Sequence, residues 1–87
     1  MKPNTCQMTK KSNAICIKTA EECGELVQAI CKHANGVDNI SNIEHEIGDV
    51  LGCIWYLTQA LKLDVNKMEK FKTKRIQKIL TTIQKAV

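Results

Sequence analysis

Apolar and weakly polar residues recur at three- and four-residue steps along most of the chain. Ile15, Thr19, Cys23, Leu26 and Ile30 follow this rhythm, which is the period of one helix face. They predict a first helix from about Lys11 to His33. Gly36, within HANGVDN, reads as a helix C-cap followed by a loop. Ser41 followed by Glu44 has the spacing of a capping box and starts a second helix near Asn42. That helix carries the stripe Ile43, Ile47, Val50, Ile54, Leu57 and Leu61. The segment Lys62 to Asp64 interrupts it, and Asp64 is placed to N-cap a third helix. Val65, Met68, Phe71, Ile76, Ile79, Leu80 and Ile83, with Arg75 among them, give the third helix one apolar face. Alternating strand patterns and hairpin dipeptides are missing. The expected class is all-α: an antiparallel bundle of three main helices in one domain, residues 1–87. The short connection from Ala34 to Ser41 favours antiparallel neighbours for the first two helices.

Size changes this picture in one respect. A chain of 87 residues buries only a modest core. The stripe of the third helix and Trp55 are left poorly covered by a single copy, so the bundle is expected to be completed in a homodimer or homotetramer. No membrane partner is expected, because the longest mainly apolar stretch, Val50 to Leu57, is far shorter than the about 20 residues of a spanning helix. The opening MKPNTCQMTKK lacks the apolar region of a secretory signal. Five cysteines, Cys6, Cys16, Cys23, Cys31 and Cys53, include no C-x-x-C pair. They read as reduced thiols, mostly small core residues, in a cytoplasmic protein. The net charge of +4 is unevenly spread: Lys67, Lys70, Lys72, Lys74, Arg75, Lys78 and Lys85 crowd the last quarter, and acids concentrate between Glu21 and Asp49. An aromatic content of 3% leaves few platforms for stacking bases, which disfavours a nucleic-acid partner.

The acids carry the chemistry. Glu22 and Glu25 form an E-x-x-E pair, and Glu46 and Asp49 an E-x-x-D pair. Residues three apart share a helix face, so each pair presents two carboxylates side by side. At about 100° per residue, Glu22 and Glu46 lie at the borders of their helices' apolar stripes, with Glu25 and Asp49 about 60° further out. Packing the stripes brings four carboxylates to one cleft. Such charges repel unless a cation neutralises them, and hard oxygen ligands suit Mg²⁺, with Mn²⁺ as a substitute; the other reading of the spacing is solvated acids at the edges of amphipathic helices. A magnesium site suggests a phosphate-bearing substrate. Glu21 reads as a surface acid, Glu44 as a cap and His45 as solvent-facing.

At these residues the sequence resembles a known family. EECGEL (Glu21 to Leu26) and EIGDVL (Glu46 to Leu51) are similar to the paired motifs of the MazG-type all-α nucleoside triphosphate pyrophosphohydrolases, which group with the all-α dUTPase and dCTPase enzymes. The 20 residues between Glu25 and Glu46 fit the variable spacer of that pattern. The resemblance implies a magnesium-dependent enzyme that cleaves a nucleoside triphosphate, a deoxy or non-standard nucleotide, to a monophosphate and pyrophosphate. It makes Glu22, Glu25, Glu46 and Asp49 the metal ligands, with Glu25 favoured, and Glu21 or Glu22 available, to act on the attacking water. Lys70, Lys74 and Arg75 lie in a stretch loosely similar to a basic segment of the family and are candidates for triphosphate oxygens. Tyr56 is a candidate for stacking on the base. The chain departs from common family patterns at Cys53, Tyr56 and Gln59. Two other readings stay open: a phosphoribosyl-ATP pyrophosphohydrolase-like enzyme, and a non-catalytic helical module that binds nucleic acid or regulates.

Overall fold

The computed structural model describes residues 9–86. The expectations for the opening segment and Cys6 fall outside them. Three helices and no strand make up the described residues: α1 (Lys10–Ala34), α2 (Ile40–Ala60) and α3 (Val65–Ala86). The all-α class is as expected, and each helix lies within a few residues of its predicted position.

The ends show why the helices stop where they do. Thr9 caps α1, its Oγ1 accepting from Ser12 N at 3.0 Å. At the other end Gly36 has φ 97°. Its N–H donates to the His33 carbonyl and that of Val37 to the Lys32 carbonyl, both at 3.0 Å. This paired closure needs a left-handed residue, which glycine adopts at no steric cost. The same closure ends α2, where Leu63 N donates to Thr58 O at 3.0 Å, but Lys62 takes the left-handed position at φ 54°. Asp64 caps α3 as predicted, accepting from Lys67 N at 3.1 Å.

The capping box predicted at Ser41 and Glu44 does not form. Helix α2 begins at Ile40, after Asn39. The Asn39 amide donates across to the Ala29 carbonyl at 3.0 Å. A bond to the neighbouring helix therefore fixes the entry of α2, and Ser41 and Glu44 fall inside its first turns.

Helices α1 and α2 pack as an antiparallel hairpin. As α2 runs forward, Asn39 meets Ala29, Glu46 meets Glu22, and Tyr56 shares a groove with Ile15. The packed face is rotated only in part from the predicted stripes: Ile15, Thr19 and Val50 are buried and Leu26, Ile43, Leu57 and Leu61 half-buried, as expected. On α1 it holds Ser12, Ile15, Thr19, Glu22 and Ala29, and on α2 Glu46, Val50 and Thr58. Cys23, Ile30, Ile47 and Ile54 are exposed instead. Each predicted stripe is wider than the seam one neighbour can cover, and the seam takes the edge that includes the acids. The cysteines are corrected with it: Cys16 and Cys53 are half-buried, Cys23 and Cys31 exposed, and all four are free. The buried hydroxyls satisfy themselves, Thr19 donating to Ile15 O at 2.7 Å and Thr58 to Ile54 O at 2.8 Å.

Helix α3 does not close a three-helix bundle. Its described side chains are exposed apart from half-buried Met68. The radius of gyration is 16.3 Å, against about 12 Å for a compact chain of this length. Trp55, Leu51, Phe71 and Ile83 all stand more than half exposed. No helix among the described residues is long and apolar enough to cross a membrane.

Candidate metal centre

The rotation of the seam decides the character of the site. Glu22 and Glu46 are among the most buried residues of the hairpin, at 8% and 7% exposure. They face each other from opposite helices, with Glu25, one turn along α1, leaning onto the same spot from the solvent side. Glu22, Glu25 and Glu46 each offer a carboxylate oxygen within 4.8 Å of the others. Asp49, half-buried one turn along α2, belongs to a second group with Glu46 and His45 that meets the same limit. The four predicted ligands thus form two overlapping groups that share Glu46.

The electrostatics follow from the geometry. Removal from water, then the Glu25 carboxylate and a hydrogen bond with it, then Asp49 and Glu22, push the Glu46 carboxyl above its usual range. The Glu22 carboxylate is split between two environments. Its Oε2 lies 3.4 Å from Lys18 Nζ, while its Oε1 is buried with no hydrogen-bond partner. An orphaned buried carboxylate oxygen is costly, and here it sits beside two further carboxylates. Oxygen ligands from two rigid helices, one of them unsatisfied, suit a hard divalent cation. The residues present therefore fit such an ion.

Two neighbours of the cluster escaped the sequence reading. Lys18 is the one cation paired with Glu22 among the described residues, and it also lies 3.7 Å from Glu21. Glu22 holds the Lys18 ammonium above its ordinary pKa, first by the hydrogen bond and then by charge. His45 Nε2 lies 3.2 Å from Asp49 Oδ2. Its ring is 70% exposed, as expected, but its position beside Asp49 was not foreseen. In both cases the signal was available, a Lys or His four residues before an acid on a helix.

The predicted substrate residues are divided. Tyr56 lines a groove of about 230 Å³ with Lys11, Ala14, Ile15 and Lys18, next to Glu22. Lys70, Lys74 and Arg75 lie on α3, outside both carboxylate groups. A concavity of about 840 Å³ runs from Lys74 to Ile83 and is walled by α3 alone. One helix encloses nothing, so the groove beside the carboxylates is the relevant one.

No curated protein and no solved structure matches this chain significantly. The profile of the MazG nucleotide pyrophosphohydrolase domain matches residues 10–81, which takes in α1, α2, most of α3 and both acidic pairs. A match over most of the chain, with the motif carboxylates gathered on facing helices, places this protein in the MazG nucleotide pyrophosphohydrolase domain family.

Proposed function

We propose that this protein hydrolyses a nucleoside triphosphate, a deoxy or non-standard nucleotide, to a monophosphate and pyrophosphate, using Mg²⁺ or in its place Mn²⁺. The observation that carries this reading is the buried, unpartnered Oε1 of Glu22 beside Glu25 and Glu46. Glu22, Glu25, Glu46 and Asp49 would hold the ion. When bound, it would neutralise phosphate oxygens and make the phosphorus more electrophilic.

The chain's own groups do the rest. Glu22 and Glu46 are fixed by the helix seam and set the position of the site. Burial and the neighbouring carboxylates disfavour the ionised form of Glu46, and a cation held there would favour it. Glu25 is exposed and holds a carboxylate oxygen within 4.8 Å of those of Glu22 and Glu46. It is the carboxylate best placed to take a proton from an attacking water, with Glu22 as the second candidate. Phosphoryl transfer otherwise rests on positioning and electrostatics, for which Lys70, Lys74 and Arg75 are candidates. Because α3 leaves its neighbours uncovered, we assign those residues to a site completed in a homodimer or homotetramer.

The experiment is phosphorus NMR of a nucleotide panel incubated with Mg²⁺. The expected products are pyrophosphate and a monophosphate. Asp49→Asn should lower turnover by at least about tenfold with helicity intact. Orthophosphate and a diphosphate instead, in a preparation free of pyrophosphatase, would refute the reaction.

A further inference from the structure

We infer that Lys18 is a substrate-phosphate ligand, standing at the junction between the carboxylate cluster and a nucleoside groove whose far wall is Tyr56. This rests on the reading of the cluster as a nucleotide-hydrolysing metal centre. Lys18 belongs to two structures at once. Its Nζ pairs with Glu22 Oε2 at 3.4 Å, and its side chain lines the groove with Lys11, Ala14, Ile15 and Tyr56. Lys11, Ala14, Ile15 and Lys18 recur at helical spacing on one face of α1, so the groove leads along that helix to Glu22.

Charge makes this position consequential. In the free protein Lys18 is the counter-cation of Glu22. Glu22, Glu25 and Glu46 would hold a divalent ion that would take over that role and repel the ammonium. The Lys18 side chain is 59% exposed and flexible, so it is free to turn. The direction away from the cluster is the groove, where a phosphate arriving with the metal offers a new anionic partner. At about 230 Å³ the groove is smaller than the about 300–1,000 Å³ of pockets that take a whole ligand. It therefore suits the nucleoside end, with the Tyr56 ring against the base or sugar and the phosphates reaching past Lys18 to the carboxylates.

The test is equilibrium binding to the Mn²⁺-loaded protein, with Mn²⁺ uptake followed separately by the loss of the free-ion EPR signal. Two probes are used: a non-hydrolysable deoxynucleoside triphosphate and inorganic triphosphate. Lys18→Gln should bind Mn²⁺ at least as tightly as the wild type, because a competing cation is gone. It should bind both probes about tenfold more weakly, and Lys18→Arg should recover most of the loss. Tyr56→Leu should weaken the nucleotide but not inorganic triphosphate. Lys18→Gln binding both probes like the wild type, with Mn²⁺ uptake intact, would overturn the inference and leave Lys18 as a local ion pair. Binding of these probes by a wild type that hydrolyses no member of the nucleotide panel would refute the proposed reaction while still testing Lys18.

Discussion

Replacing Glu22 with Met should make the free protein more stable and the metal-loaded protein less so. The side chains are similar in size and in helix propensity. In the wild type Glu22 Oε1 is buried without a partner. Removing such an acceptor in favour of an apolar group recovers about 1–3 kcal/mol. Against this stands the lost pairing with Lys18, whose 59% exposure limits it to about 0–1 kcal/mol. The two midpoints leave a net gain of about 1.5 kcal/mol, or a rise of about 6–12 °C in melting temperature for a domain of this size. Metal reverses the order. An ion at 100 times its dissociation constant stabilises the wild type by about 2.7 kcal/mol, whereas the variant has lost a central ligand and gains little. Thermal melts followed by circular dichroism, with EDTA or with Mn²⁺ and at one fixed protein concentration, give all four numbers. If Glu22→Met in EDTA melts at or below the wild type, Glu22 is not an unsatisfied buried acid and the argument for the site fails.

The pH dependence of the free protein should carry the mark of Glu46. Its folded-state pKa lies above the ordinary value of 4.5, so its contribution to stability is full below that pH and is lost as pH rises through the folded pKa. Glu46→Gln should flatten this decline in EDTA melts, and an unchanged pH profile would argue against a desolvated Glu46 among carboxylates. Light scattering at micromolar concentration should give a dimer or tetramer, because a single copy leaves Trp55, Leu51 and the α3 stripe open; a 9.8 kDa particle would refute the proposed assembly.

Much of the fold was legible because helices announce themselves locally. The three- and four-residue rhythm, Gly36 at the end of α1 and Asp64 at the start of α3 act within a few residues, so sequence spacing captures them. The start of α2 was misread because the deciding bond, Asn39 to Ala29, crosses between helices. The orientation of the seam was misread in part, at Cys23, Ile30, Ile47 and Ile54, for a related reason. Periodicity ranks residues by hydropathy, and it put Glu22 and Glu46 at the borders of two wide apolar arcs. A single neighbouring helix covers only part of such an arc, and which part depends on everything else that packs. The acidic pairs themselves were plain in the sequence. Their burial, and the roles of Lys18 and His45 beside them, depend on tertiary placement.

Burial of Glu22 and Glu46 inside the seam ties the site to the fold. The hairpin holds only three buried apolar residues, Ile15, Ala29 and Val50, along with two buried carboxyls. A carboxylate on an outer face could be lost with little effect on helix pairing, but these two stand where apolar contact would otherwise join the helices. Without a cation they oppose the association of α1 and α2 through desolvation and mutual repulsion. With one, ligands from both helices would share a single ion, and the same residues would draw the helices together. The position that is unfavourable for the free hairpin is the one that lets an ion be held from two sides at once. The exposed apolar faces fit this arrangement: a core given over to carboxylates leaves hydrophobic burial to be made elsewhere, on the outer faces of α2 and along α3.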